Sequence, residues 1–403
     1  MWIRIIGYTL VGVAIITIGY VMYRNSQKER ETLVFSPVQL LTATWQEYKD
    51  TYLEDGTLRT LDPSRENITT SEGQSYTMLR AVWMGDKETF DTSWQWTKDN
   101  LQHEEDKLFS WLFGRRSNGT FGVLTEKHGE TSASDGDTDI ALALLFAYGR
   151  WQDENYLNEA TSIISDIWEK EVVAVRGRPY LASNNIEKFA TDDWILINPS
   201  YLHPAAYRIF AEVDTEHPWR TLANTSYDIL KRSSQLPLDK EKSAGLPPDW
   251  VEINRESGAL RAPPNPLTTN FGFDAMRTPW RVALDAQWFG RQEAKDMLAQ
   301  WQFLSREWER QGMLNSSYAH DGSVILPSET AAMYGTTIGY FAISDPSNAQ
   351  RLYEEKLAFL FDPGNNSWRN RLSYYDDNWA WFGIALYNNL TPNLVANLLS
   401  SAH

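Results

Sequence analysis

The sequence predicts an all-α fold on three observations: apolar residues recur at helical spacing along most of the chain, strand-like alternation is scarce, and no low-complexity linker divides it. Val38, Leu41, Trp45 and Tyr48 fall on one helical face, as do Ile140, Leu144, Tyr148 and Trp151. About twelve helical stretches follow, centred near residues 43, 78, 95, 145, 162, 206, 225, 282, 300, 335, 355 and 383. Loops rich in Gly, Pro, Asn and Asp join them, among them Arg116 to Gly122, Leu236 to Trp250 and Arg261 to Phe273. Twelve helices suit antiparallel pairs around a centre, but counting alone does not separate a barrel from an irregular bundle.

The first element is of another kind. Ile5 to Tyr23 is an uncharged run, IIGYTLVGVAIITIGYVMY, close to the roughly 20 residues that span a bilayer. Arg4 precedes it, Arg24, Lys28 and Arg30 follow, and no small-x-small cleavage pattern stands before Asn25. Residues 1–24 are therefore expected to be an uncleaved membrane anchor, 25–33 (NSQKERETL) a short polar stalk, and 34–403 one folded domain. Basic residues at both ends leave the topology undecided.

Composition narrows the chemistry. A formal charge of −16 and the lack of a basic stripe argue against a nucleic-acid partner. Cysteine is absent, which removes disulfides, thiolate catalysis and thiolate metal ligands, and the six His are too scattered for a metal site. No G-x-S-x-G or phosphate-loop motif is present, and no metal or cofactor is expected. The 18 Trp, 19 Tyr and 16 Phe suit a large core, with a fraction available to stack on sugar rings.

Three segments each put a carboxylate at the start of an apolar helix. Thr70 or Ser71 can cap the helix through Met78, which places Glu72 in its first turn; a capping role alone also accounts for it. Asp135, Asp137 and Asp139 alternate before IALALLFAYGRW, but the Gly and Glu that a calcium loop needs at its sixth and twelfth places are missing. Asp274 stands three residues before Arg277, a spacing that an ordinary ion pair would also explain. Helix starts converging on one rim would form an acidic, aromatic cleft. Glycoside hydrolysis needs one, with a protonated acid on one side of the sugar and a carboxylate on the other.

ASDGDTDIALALLFAYGRW, Ala133 to Trp151, resembles the signature of glycoside hydrolase family 8. SEGQSY around Glu72, WLFG at Trp111, NPSYLHP at Asn198, FDAMRTPWR around Asp274 and YYDDNWAWFG at Tyr374 are similar to further family segments, in the family's order, over about residues 38 to 390. The likeness is nearest to members associated with bacterial cellulose and exopolysaccharide synthesis. It implies an (α/α)₆ barrel of six helical hairpins and an inverting endo-hydrolase of a β-1,4-linked polysaccharide. Candidate polymers are a bacterial exopolysaccharide, a cellulose-like glucan or an N-acetylhexosamine polymer.

By the same resemblance Glu72 is the general acid, Asp274 the general base, and Asp135 the carboxylate that holds the sugar at the cleavage point. Tyr201, Trp111 and Arg277 match cleft residues, and Tyr76, Asp137 and Tyr375, within the matched segments, are further candidates for sugar contacts. Glu72 is expected to be held protonated and Asp274 ionised. Thr77 and Met276-Arg277-Thr278 depart from the usual pattern and are expected to bear on subsite shape. The expected partners are the polysaccharide, the cell membrane and the exopolysaccharide synthesis machinery, with the catalytic domain outside the cytoplasm. A non-catalytic polysaccharide-binding or secretion accessory is the alternative, disfavoured because all three carboxylates are present.

Overall fold

The computed structural model describes residues 35–396. The expected anchor and stalk lie outside them, and among the described residues no helix is long and apolar enough to cross a membrane.

The chain is mostly helical: α1 Pro37–Tyr52, α2 Ser71–Met84, α3 Lys87–Leu101, α4 Ser134–Trp151, α5 Glu154–Glu171, α6 Asn185–Phe189, α7 Pro204–Val213, α8 Trp219–Gln235, α9 Thr278–Phe289, α10 Gln292–Leu298, α11 Phe303–Gln311, α12 Ala331–Ser344, α13 Pro346–Leu352 and α14 Tyr374–Tyr387. Helices α2, α4, α7, α9, α12 and α14 form an inner ring, and α3, α5, α8, α10 and α13 pack outside the inner helices that precede them. Helix α1 covers α14, so the first and last described helices close the ring together. This arrangement is consistent with an (α/α)₆ barrel.

Sequence explains which helix lies where. Outer helix α5 buries Tyr156, Ala160, Ile163, Ile164 and Ile167, a single stripe at helical spacing. Inner helix α4 is buried on every side from Ser134 to Ala147, which its run of Ala and Leu permits. Close approach in the ring needs glycine: a Cβ on Gly335 of α12 would stand 1.9 Å from the Trp379 carbonyl oxygen of α14. Arg80 of α2 pairs with Asp377 of α14 at 2.8 Å in the buried ring, and Tyr76 sets its edge against Trp379 and Phe382.

Several details differ from the sequence reading. Val38 is 54% exposed, because it lies in the first turn of α1, whereas Leu41, Trp45 and Tyr48 are buried. The stretch expected near residue 300 is two helices, α10 and α11, parted by a turn at which Trp301 is buried and donates to the Ser234 hydroxyl at 3.3 Å. Thr77 bonds the Tyr48 hydroxyl at 2.8 Å, so this departure bears on the packing of α1 against α2 and not on the cleft wall.

Short strands of two to four residues escaped the periodicity reading because they are too brief to show alternation. Two three-stranded sheets flank the helix starts that carry the site: β1 Thr69–Thr70, β2 Leu112–Arg115 and β3 Phe121–Val123, and a second of Trp194–Ile197, Val251–Asn254 and Leu260–Arg261.

Candidate active site

Each candidate carboxylate is aimed by local structure. Thr70 caps α2, its hydroxyl accepting from the Gly73 N–H at 3.0 Å, which sets Glu72 in the first turn. Ser134, at the start of α4, donates to the Ala182 carbonyl at 2.7 Å, and Asp135 accepts from the Gly136 N–H at 2.9 Å. The starts of α2 and α4 abut, since a Cβ on Gly136 would stand 2.5 Å from the Ser71 hydroxyl oxygen. Asp274 lies on a turn organised by Asp249, one carboxylate oxygen of which accepts the N–H groups of Gly272 (3.2 Å), Asp274 (3.1 Å) and Ala275 (2.7 Å).

One guanidinium joins the three. Arg277 is 1% exposed. Its Nη1 donates to Glu72 and, at 3.1 Å, to Asp135, while Nη2 donates to Asp274 at 2.6 Å and to the Ser200 hydroxyl at 2.9 Å. Trp250 donates to the second Asp274 oxygen at 3.1 Å. The Tyr201 ring faces the guanidinium at 5.4 Å and meets Trp250 edge-on at 5.8 Å. Glu72 and Asp274 thus touch neighbouring nitrogens of one planar group, which limits their nearest oxygens to at most roughly 8 Å apart, two hydrogen bonds plus the width of a guanidinium. That ceiling reaches the lower part of the roughly 6.5–9.5 Å spacing of inverting glycosidases and also admits the roughly 5–5.5 Å of retaining ones, so the stereochemistry is a matter for experiment.

The carboxylates border a solvent-open cavity of about 600 Å³. Burial pushes Asp135 well above the ordinary aspartate value, with Arg277 opposing and the Glu72 charge adding to the push. Asp274 is also raised: desolvation outweighs the pull of Arg277, and Glu72 adds to it. Asp274, expected from the sequence to be ionised, is thus pushed by its surroundings toward the protonated form, and Arg277 opposes that push. Asp249 is pushed to about 7, first by burial and then by the nearby Asp274 charge.

Of the residues singled out in the sequence, Glu72, Asp135, Asp274, Trp111, Tyr201, Arg277 and Tyr375 line this cavity. Trp111 is braced by its ring N–H on the His128 carbonyl at 2.9 Å, and Tyr375 by its hydroxyl on the Phe273 carbonyl. Tyr76 does not line it; 1% exposed, it lies behind Arg277 with its hydroxyl 3.5 Å from Nη1. Asp137 is fully buried on another side of α4, where it accepts the Phe109 N–H at 2.9 Å and faces Glu171.

Sequence reasoning missed Asp249 and Trp250, which lay in a segment read only as a loop, and Phe273, Asp62, Arg65 and Asp376 of the cavity wall. An acidic residue beside Trp in a Gly- and Pro-rich loop was the available signal for the first two.

The Asp137–Glu171 contact carries a pH dependence. Burial pushes Glu171 up to about 8, and Asp137 is raised as well, by burial and then by the Glu171 charge. Between the ordinary glutamate value of about 4.3 and that raised value, the folded chain keeps a proton that the unfolded chain has released, so this group's stabilising contribution is lost as pH rises. Thermal melts of the wild type should therefore fall in Tm from about pH 5 to about pH 8, and Glu171→Gln, which keeps a donor at all pH values, should flatten that fall. Parallel Tm profiles for the two proteins would contradict this assignment.

Paired carboxylates in an open cleft lined by Trp and Tyr are the arrangement that glycosidases use. Residues 23–380 match the family described as "Glycosyl hydrolases family 8", and the chain belongs to that family. It is 28% identical over 335 residues to an endoglucanase of Cellulomonas uda, covering 82% of this chain and 85% of that one. It is 30% identical over 313 residues to a probable endoglucanase of Novacetimonas hansenii, covering 75% and 80%. Among solved structures, endoglucanase Cel10 of Klebsiella pneumoniae superposes with a TM-score of 0.68 at 26% identity, over 86% of this chain and 99% of that one. A cold-adapted family 8 xylanase shares the fold, with a TM-score of 0.70 at 20% identity over 91% and 93% of the two chains.

Proposed function

We propose that the protein is an inverting endo-β-1,4-glycanase acting on a cellulose-like glucan, with Glu72 as general acid and Asp274 as general base. The observation that carries this reading is the shared contact of Glu72, Asp135 and Asp274 with Arg277 on one open cavity. Asp274, held by Arg277 and Trp250, removes a proton from the water that attacks the anomeric carbon. Glu72 gives its proton to the departing glycosidic oxygen, so its contact with Arg277 is exchanged for that oxygen when sugar enters. Asp135, deeper than the other two, accepts hydrogen bonds from sugar hydroxyls, and Trp111, Tyr201 and Tyr375 supply ring faces and edges for the chain. A glucan is favoured because the two sequence relatives above carry the name endoglucanase, one of them as probable.

The uncharged run Ile5 to Tyr23 supports an anchor in residues 1–24 that holds the catalytic domain, residues 34–403, at the outer face of the membrane through the stalk 25–33. Such a protein stays with the membrane after alkaline carbonate washing; release into the wash would refute the anchor.

The activity is tested by chain-length analysis of cellulose, mixed-linkage glucan, chitosan and a bacterial exopolysaccharide after incubation with the enzyme and with Glu72→Gln. Shortening of a β-1,4-glucan by the wild type alone is expected. Equal binding of one polymer by both proteins without shortening would favour a binding accessory instead.

A further inference from the structure

A second cavity, of about 450 Å³, adjoins the catalytic one, and Arg65 and Trp111 line both. The two differ in charge. Around the first stand Asp62, Glu72, Asp135, Asp274 and Asp376, against Arg65 and Arg277. Around the second stand Arg65, Arg115 and Lys127, with Glu66 the single carboxylate. Beneath it Ile68, Leu112 and Leu124 form a small buried cluster of their own, and Trp111 packs against it.

Arg65, Arg115 and Lys127 are exposed, and among the described residues none of their side chains takes part in an ion pair or hydrogen bond. Their neighbours behave otherwise. Arg59 is bound to Glu54 at 2.9 Å, and Arg116 donates to the Val123 carbonyl at 3.1 Å. Exposed cations without a partner, such as Lys231 and Lys295, occur singly elsewhere among the described residues, whereas here three share one groove with a single carboxylate.

We propose that this groove is a distal subsite selecting β-1,4-linked chains that carry anionic substituents. A sugar ring continuing past the main cleft packs beside Trp111, and a carboxylate or sulfate group on that ring reaches Arg65, Arg115 and Lys127. The proposal rests on the reading of the main cleft as a β-glycan site and adds to it the charge class of the preferred polymer. It runs against what the acidic net charge alone suggests, because the charges nearest the bound chain decide the contact.

The test compares the wild type with Arg115→Gln/Lys127→Gln, two residues that line only the second cavity, on hydroxyethyl-cellulose, carboxymethyl-cellulose and cellulose sulfate. On the neutral polymer kcat/KM should be unchanged, which also shows that the variant folds. On the anionic polymers it should fall by roughly fivefold to tenfold, and added salt should erase the difference. A loss on carboxymethyl-cellulose alone assigns the groove to carboxylates, and a loss on both anionic polymers assigns it to anions in general. Equal losses on all three polymers, or none, would overturn the proposal.

Affinity electrophoresis of the Glu72→Gln protein, with and without the groove substitutions, in gels containing each polymer separates this question from catalysis. Retardation by an anionic polymer that the groove substitutions abolish supports the subsite even if no polymer is cut. Failure of the anionic gels to retard the protein refutes the subsite whatever the fate of the main cleft.

Discussion

Arg277→Lys is expected to lower kcat on a β-1,4-glucan by about 100-fold or more, with the fold retained. The reason is geometric. The planar guanidinium meets Glu72 and Asp135 through one nitrogen and Asp274 and Ser200 through the other, so it fixes acid, base and sugar-holding carboxylate relative to one another. An ammonium is a point charge with three donors and cannot span the same set. It keeps a cation beside the buried Asp135 but lets Asp274 and Glu72 move, and a misplacement of about 1 Å between reacting groups costs on the order of 10² in rate. The check is steady-state kinetics alongside a thermal melt. Normal kcat in the lysine variant would mean that Arg277 supplies charge alone.

The second large effect separates acid from base. Glu72→Gln and Asp274→Asn should each lower kcat by roughly 10²–10⁴-fold on a natural polymer. An aryl glycoside with a good leaving group needs no proton from the acid, so Glu72→Gln should recover much of its rate there, while Asp274→Asn should not. Because Asp274 is raised by desolvation beyond what Arg277 offsets, the acid limb of kcat/KM should lie above the ordinary aspartate value. Below that pH the base is protonated and cannot take a proton from water. Recovery of both variants on the aryl glycoside, or of Asp274→Asn alone, would reassign the roles.

The helices themselves were legible in the sequence, whereas their closure into a ring was implied only by the family resemblance. Outer helices such as α5 carry one apolar stripe, and inner helices such as α4 carry small and apolar residues throughout. The split between α10 and α11 was not legible, because the burial of Trp301 against Ser234 is a contact between distant segments. The site was legible in part. Glu72, Asp135 and Asp274 each stand at a helix start, yet only the family resemblance raised them above the other acidic residues.

Helical phase explains the two candidates that lie off the cavity. Asp137 is two residues past Asp135, a rotation of about 200°, and so turns toward Phe109 and Glu171. Tyr76 is four residues past Glu72, one turn deeper into the ring, where it backs Arg277. Asp249 and Trp250 escaped notice for the opposite reason. They act across some 25 residues of chain on the turn that carries Asp274, and no local pattern records that contact.

The measurement that bears most directly on the mechanism is the anomeric configuration of the first products, followed by proton NMR during hydrolysis of a soluble β-1,4-glucan before mutarotation intervenes. Attack by a water held at Asp274, opposite the oxygen that Glu72 protonates, predicts α-configured reducing ends. First products with β-configured ends would show a double displacement through a covalent intermediate and would contradict the account.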